Sequence, residues 1–262
     1  MMYKITIKLA LLILIGFTLF TSCKRDEYFL DTGKADPNFN GTVLAYLKSK
    51  PAYFDTLVRI INIAGMNDVF EKEQITFFAP TSSAIYKTVK DLNADLRKNG
   101  RDTVSKLEKI KPATWKEALS MYVFKGINRL KDYPQLDTIA FSSFPGQGYT
   151  SYAGRTMNIG VLFNDAVTAR NANGSPKTFV KYAGYRQLYL SYIPDFSNPT
   201  VNLLNIPVAS SDIAPTNGIV HVLAQQVFFT ESTILYDKHK FGFNTRTFID
   251  KVIADGILPA NP

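Results

Sequence analysis

One segment specifies the fold of this chain more than any other: Ala209-Ser-Ser-Asp-Ile-Ala-Pro-Thr-Asn-Gly-Ile-Val-His-Val-Leu223. From Ile219 onward its residues are mostly apolar and β-branched, which predicts a strand over 219–229. Asn217-Gly218 stands directly before that strand, and both residue types tolerate a positive φ, so we predict a tight turn there. His221 has no other His or Cys near it in the sequence, and we expect a hydrogen-bonded structural histidine.

A second segment predicts a strand that leads directly into a helix: Ile75-Thr-Phe-Phe-Ala-Pro-Thr-Ser-Ser-Ala-Ile85. The strand covers 75–79 and stops at Pro80, because proline has no N–H to donate to a β-ladder. Thr81 or Ser82 is then the N-cap of a helix over 84–91. The residues to which we assign structural roles in the two segments are Thr76, Phe78, Ala79, Pro80, Thr81, Asn217, Gly218 and His221.

The chain before residue 133 is mainly helical in pattern. A helix begins near Pro51, with apolar residues at helical spacing from Phe54 to Ala64, and Gly65 suits the position just past its end. Residues 92–112 are highly charged and predict a loop insertion with partial helix. Thr114 is predicted to cap a further helix, whose core face holds Trp115, Leu119 and Tyr122 or Val123.

The chain after residue 133 has the pattern of short strands separated by turns. We place strands at 157–163, 178–183 and 186–193, between turn signals such as Asn173-Gly174. Helices come first and strands later, without regular alternation, so the predicted fold class is α+β rather than a doubly wound parallel sheet.

In chain order, three blocks resemble those of the fasciclin domain. Tyr53-Phe-Asp-Thr-Leu-Val-Arg-Ile-Ile-Asn-Ile-Ala-Gly-Met-Asn-Asp-Val-Phe70 is similar to the opening helix and turn of that family, and the two segments quoted above are similar to its two signatures. The resemblance implies a fasciclin-like β-wedge or sandwich with helices packed at one side, in a single domain over 41–229 with insertions. The family's adhesion role implies that the domain binds proteins or matrix.

The chain also departs from the family pattern. Tyr122-Val123 stands where the family has Tyr-His, Ser82 where it has Asn, and Pro215 where it has Ala. Insertions at 92–112 and about 164–200 are long. Since the family's binding sites lie partly around the Tyr-His pair, no family binding residue is carried over to this chain.

The first 25 residues predict an exported lipoprotein. Lys4 and Lys8 form a short positive region before an apolar run over 9–20. This run is too short for a spanning helix but suits a signal peptide. The small residues before Cys23, the only cysteine, resemble a bacterial lipobox, and the alternative is an ordinary signal peptide beside an unrelated cysteine. We expect a signal peptide over 1–22, lipidation of Cys23, a linker over 23–40, and a C-terminal extension over 230–262 that contains a helix.

This arrangement predicts an outer-membrane lipoprotein of a Gram-negative bacterium, held by palmitate-type acyl chains. Lys24-Arg-Asp-Glu27 resembles a signal for export to the cell surface, although a solvated tether also fits these residues. Both an outward and an inward orientation stay open.

Composition excludes several other classes of protein. The 262 residues are 46% apolar and 20% charged, with one Cys and two His, so wholesale disorder, a disulfide framework and a Cys-rich metal site are excluded. No Gly-x-Ser-x-Gly, Walker or His-Glu-x-x-His motif occurs. We expect no catalysis, no cofactor and no metal. Because the basic residues are scattered and the chain is exported, we expect no nucleic-acid partner.

Two functions fit these observations. The first is a non-catalytic, membrane-anchored module that binds surface or matrix proteins. The second is an accessory lipoprotein of an outer-membrane uptake complex, which contacts a TonB-dependent transporter or binds glycan. An aromatic-rich stretch over 179–196 offers rings that could stack on sugars or partners, or fill the sheet core instead. The candidate binding residues are Tyr182, Tyr185, Tyr189 and Tyr192.

Overall fold

The computed structural model describes residues 36–199, 203–224 and 240–258, which contain six α-helices and eleven strands. The helices are Val43–Ser49 (α1), Pro51–Ile63 (α2), Asn67–Lys72 (α3), Ser82–Lys98 (α4), Pro112–Ser120 (α5) and Thr245–Asp255 (α6). The strands are Asn38–Phe39 (β1), Ile75–Ala79 (β2), Val123–Lys125 (β3), Gln135–Leu136 (β4), Gln147–Thr150 (β5), Thr156–Phe163 (β6), Ala166–Arg170 (β7), Pro176–Val180 (β8), Arg186–Tyr192 (β9), Leu204–Pro215 (β10) and Gly218–Leu223 (β11). None of the described helices is long and apolar enough to cross a membrane.

The two segments quoted first form neighbouring strands inside the main sheet. β11 runs parallel to β2, in register from Gly218 opposite Ile75 to Val222 opposite Ala79. β3 follows on the far side of β2, and β10, β9, β6 and β4 follow β11 in that order. β1 pairs with β10 and β5 with β6, while β7 and β8 form a separate two-stranded ribbon. The α+β prediction is confirmed.

The early helices cover the sheet as their apolar spacing predicts. α2 buries one face, which includes Phe54, Leu57 and Ile61, against α1, α4 and α5. Gly65 has a φ of 66°, which confirms its predicted position just after the helix. β2 occupies the predicted residues, and all five of its side chains are buried.

Two helices differ from the prediction. α4 continues well past residue 91, because Leu92 and Leu96 keep an apolar stripe in the core while charged side chains occupy its other faces. The charged composition therefore did not indicate a loop here. α5 begins two residues before Thr114, which is not its N-cap, and the Thr114 hydroxyl donates instead to the Asp255 carboxylate at 2.6 Å.

The strand predictions need three corrections. β8 ends at Val180 rather than at 183, because Tyr182 adopts a φ of 59° that turns the chain. β10 is absent from the prediction, since its two prolines and its Ser-Ser-Asp sequence are typical of turns; register shifts between Val208 and Ile213 accommodate the Ser-Ser-Asp sequence. The last predicted strand ends at Leu223, and residues 225–229 lie outside the described residues.

Residues 240–258 complete the core of the domain. Phe241 is fully buried, with its ring centroid 5.8 Å from that of Trp115 and 5.5 Å from that of Tyr122. The Gly242 N–H donates to the Tyr122 hydroxyl at 2.9 Å. The described part of the predicted C-terminal extension thus contains the expected helix, α6, and packs on the domain. The signal peptide, Cys23 and most of the predicted linker lie outside the described residues.

Candidate functional site

Asn217 joins three parts of the domain through its side-chain amide. Its Oδ1 accepts a hydrogen bond from the N–H of Val43 at 2.8 Å, at the start of α1. Its Nδ2 donates to the carbonyl oxygens of Phe70 at 3.2 Å and Glu73 at 3.0 Å, at the end of α3. Only an amide offers a donor and an acceptor in this planar arrangement. The role of Asn217 is therefore structural.

Gly218 is required for a reason that the sequence did not indicate. The predicted tight turn is present at residues 216–217, between β10 and β11, but neither Asn217 nor Gly218 has a positive φ, so the expected left-handed conformation is wrong. A Cβ atom at Gly218 would lie 2.2 Å from the carbonyl oxygen of Ile75 on the neighbouring strand. Glycine therefore permits the close approach of β11 to β2 at the point where their pairing begins.

His221 is fully buried, and both of its ring nitrogens contact backbone groups. Its Nδ1 accepts from the Asp212 N–H at 3.3 Å, and its Nε2 lies 3.1 Å from the Asn128 carbonyl oxygen, to which the neutral ring donates. Burial lowers the pKa of His221 to about 4, although the Asp212 carboxylate opposes the shift. Both ring nitrogens are engaged by the backbone, so neither can serve as a base.

The residues of the first signature also have structural roles. The Thr76 hydroxyl donates to the Gly126 carbonyl at 2.8 Å and accepts from the Asn128 N–H at 2.9 Å. Phe78 is fully buried, and Ala79 and Pro80 end the strand as predicted. Thr81 occupies the N-cap position of α4, but its side chain makes no capping hydrogen bond.

A hairpin, which we call the arm (residues 166–181), presents apolar side chains outside the core. It contains β7 and β8, and all five residues of β8 are exposed. Val167 lies directly opposite Phe179, so the two side chains occupy one face. Phe179 and Val180 are 53% and 52% exposed. The arm contains no acidic residue, and its basic residues are Arg170, Lys177 and Lys181.

Tyr182 and Tyr185 lie at the base of the arm and differ in their surroundings. The Tyr182 N–H donates to the Asp165 carboxylate at 2.9 Å, and its hydroxyl donates to the Asp137 carboxylate at 3.0 Å. Hydrogen bonds from the Ala140 N–H and from Tyr182 help to lower the pKa of Asp137. Tyr182 therefore fastens the arm to the neighbouring loop. Tyr185 is 68% exposed and presents its ring to solvent.

Tyr189 and Tyr192 lie within β9 and are less accessible. Tyr189 is half-buried. Tyr192 is buried, because its ring stacks on Phe243 at a centroid distance of 5.5 Å and the Arg155 guanidinium lies 4.2 Å from the centroid of the Tyr192 ring. We therefore remove Tyr192 from the candidate binding residues.

Comparison with protein-family models gives a match to the fasciclin domain over residues 52–227. The chain belongs to the fasciclin domain family. Among solved structures, it is similar to the FAS1 domain pair of the insect cell adhesion molecule fasciclin I, with 19% identity and a TM-score of 0.41. That match covers 70% of this chain and 49% of the solved one, so the chain spans about half the length of that relative. No curated protein sequence matches the chain.

In this fasciclin domain, the position of the family's Tyr-His pair is covered. Tyr122 is fully buried beneath Phe241 and Phe243, and its ring centroid lies 4.6 Å from that of Phe243. Both phenylalanines come from residues 240–258, beyond the part of the chain that the family model matches. The described surface of this member therefore lacks an accessible tyrosine at that position.

The arm contains binding candidates that sequence reasoning missed. Val167 and Val180 belong to an insertion within the fasciclin domain, where no signature marks them. The available signal was the pair of apolar residues between two lysines in Lys177-Thr-Phe-Val-Lys181, after a Gly-containing turn. Among the residues that the structure describes, no group of three His, Cys, Asp or Glu side chains is arranged to hold a metal ion.

Proposed function

We propose that this fasciclin domain is a non-catalytic adhesion module, anchored to a membrane through Cys23, which binds proteins or matrix through the arm. The observation that carries the proposal is the exposure of Val167, Phe179 and Val180 on a hairpin outside the core. When a partner covers such side chains, the complex is stabilised by about 25 cal/mol for each Å² of apolar surface removed from water.

The charge of the arm supports an acidic partner surface. Three basic side chains and no acidic one lie within residues 166–181. Such a field steers oppositely charged partners during their encounter and weakens as salt is added. Anchoring of many copies on one surface raises their effective concentration, so weak contacts of a small arm become sufficient for adhesion.

Adhesion of protein-coated beads tests this proposal. Beads that carry the full chain are applied to a panel of immobilised collagen, fibronectin and laminin and to whole cells. The expected result is attachment that decreases when Val167→Ser and Phe179→Ser are combined, because the apolar face of the arm is lost. The attachment should also decrease at higher salt.

The matched control is Tyr86→Ser, which removes an exposed aromatic ring from α4 rather than from the arm (67% exposed, against 53% for Phe179). This variant should attach like the wild type. Equal attachment of the arm variant and the control would refute a role for the arm.

A further inference from the structure

One face of the main sheet carries a row of small residues, most of them polar. Gly148 of β5 lies opposite Asn158 of β6, Asn158 lies opposite Ser191 of β9, and Ser191 lies opposite Asn205 of β10. Residues directly opposite each other share a face of the sheet. Met157, the neighbour of Asn158, belongs to the hydrophobic core, so the row lies on the opposite face of the sheet, where Asn158 and Ser191 are also buried.

An open pocket with a volume of about 190 Å³ lies at this row. A pocket of this size suits one small polar ring rather than a large cofactor. The Asn158 Nδ2 donates to the Pro145 carbonyl at 2.9 Å and thereby holds one wall in place. The lining residues are Phe141, Pro145, Gly146, Gln147, Gly148, Asn158, Ile193 and Pro199.

The lining is uncharged and combines amide groups with apolar side chains. It has no charged side chain, while the amides of Asn158 and Gln147 can both donate and accept hydrogen bonds. Among the charged residues of the neighbouring segments, Arg155 donates to the Ile193 carbonyl and packs over the Tyr192 ring, and the Asp195 carboxylate accepts from Ser197. A phosphate or carboxylate ligand would find no cation among the lining residues.

Sugars can interact with both the amides and the apolar side chains of this lining. Their hydroxyl groups donate and accept, as amides do, and their C–H faces pack on apolar side chains such as Phe141 and Ile193. β5 pairs only with β6 in the described sheet, so its other edge leaves backbone groups free for further hydrogen bonds. We infer that the pocket binds one neutral sugar residue of a glycan. This inference does not depend on the arm.

Binding of the full chain to immobilised neutral polysaccharides tests the inference, with starch, dextran, yeast mannan and laminarin as probes and polygalacturonate as the acidic comparison. Phe141→Ala combined with Gln147→Ala removes one wall and one exposed amide. A hydrogen bond of this kind is worth about three- to tenfold in affinity, so the combined variant should bind at least three- to tenfold more weakly. Tyr86→Ser on α4 is the control, since Tyr86 is exposed and does not line the pocket, and it should bind the glycan like the wild type.

A second measurement keeps the inference testable if that variant folds poorly. In ¹⁵N-labelled wild-type protein, the side-chain amide resonance of Asn158 should shift as an oligosaccharide of the binding polysaccharide is added. The inference is overturned if the protein binds none of the four neutral probes. It is also overturned if binding neither weakens in the variant nor shifts the Asn158 side-chain resonance. Binding to polygalacturonate alone, abolished by salt, would also overturn it and would indicate electrostatic capture by basic residues.

Discussion

Replacement of Asn217 by alanine should destabilise the domain by about 3 kcal/mol. Three hydrogen bonds are lost, each with a net value of about 0.5–1.5 kcal/mol. The Val43 N–H is left without its acceptor in a fully buried residue, which adds to the loss. For a domain of this size, about 3 kcal/mol lowers the melting temperature by about 6–12 °C.

The assay is urea unfolding followed by the fluorescence of Trp115, the only tryptophan, which is fully buried. A Cys23→Ala background removes the predicted acylation site from every sample. Asn62→Ala removes one exposed hydrogen bond and is the control, with an expected change within about 0.5 kcal/mol.

Asn217→Asp separates the structural role that we describe from a role in turn conformation. Aspartate tolerates turns as well as asparagine, but its carboxylate would face the carbonyl oxygens of Phe70 and Glu73, to which it cannot donate. We expect Asn217→Asp to be destabilised at neutral pH about as strongly as the alanine variant. Full stability of Asn217→Asp would refute the account of Asn217 as the connection between α1 and α3.

Three further predictions follow from the described contacts and from the N-terminal sequence. Gly218→Ala should lower stability by about 1–3 kcal/mol or more in thermal melts, because its Cβ would lie 2.2 Å from the Ile75 carbonyl oxygen; an unchanged melting temperature would contradict this. The pKa of His221 is lowered to about 4 in the folded protein, whereas it is about 6.5 in the unfolded chain. Between these two pH values the unfolded chain binds more protons than the folded protein. The urea midpoint should therefore fall as the pH decreases from 6.5 to 4. An NMR titration in which the His221 ring protonates near pH 6.5 would contradict that assignment. Cys23→Ala should release the protein from the membrane fraction and abolish incorporation of radiolabelled palmitate, and unchanged fractionation would exclude the lipid anchor.

The sequence was sufficient to predict those elements whose buried residues follow a regular spacing within a few neighbouring positions. The apolar stripe of α2, the glycine after it and the fully apolar β2 are each visible within a few neighbouring residues. The extension of α4 was missed because Leu92 and Leu96 are separated by charged residues, and only tertiary packing decides that this stripe is buried. β10 was missed because bulges allow turn-forming residues to remain within a strand.

The candidate surfaces depended on contacts between residues far apart in the sequence. Tyr192 and Tyr185 belong to one aromatic-rich stretch, yet Phe243 covers the first while the second is exposed. Likewise, the polar row from Gly148 to Asn205 exists only through the pairing of four strands. The family signatures revealed the fold, but their residues stabilise it, and the binding candidates of the arm lie in an insertion.

Photo-crosslinking on intact cells tests most directly whether the arm contacts a partner. The photoreactive amino acid p-benzoyl-phenylalanine replaces Phe179 on the arm in one sample and Tyr86 on α4 in another, since both positions are exposed. The account predicts a discrete crosslinked product from position 179 that disappears when Val167→Ser is added, and no such product from position 86. Equal products from both positions, or none from position 179 in cells that show adhesion, would contradict it.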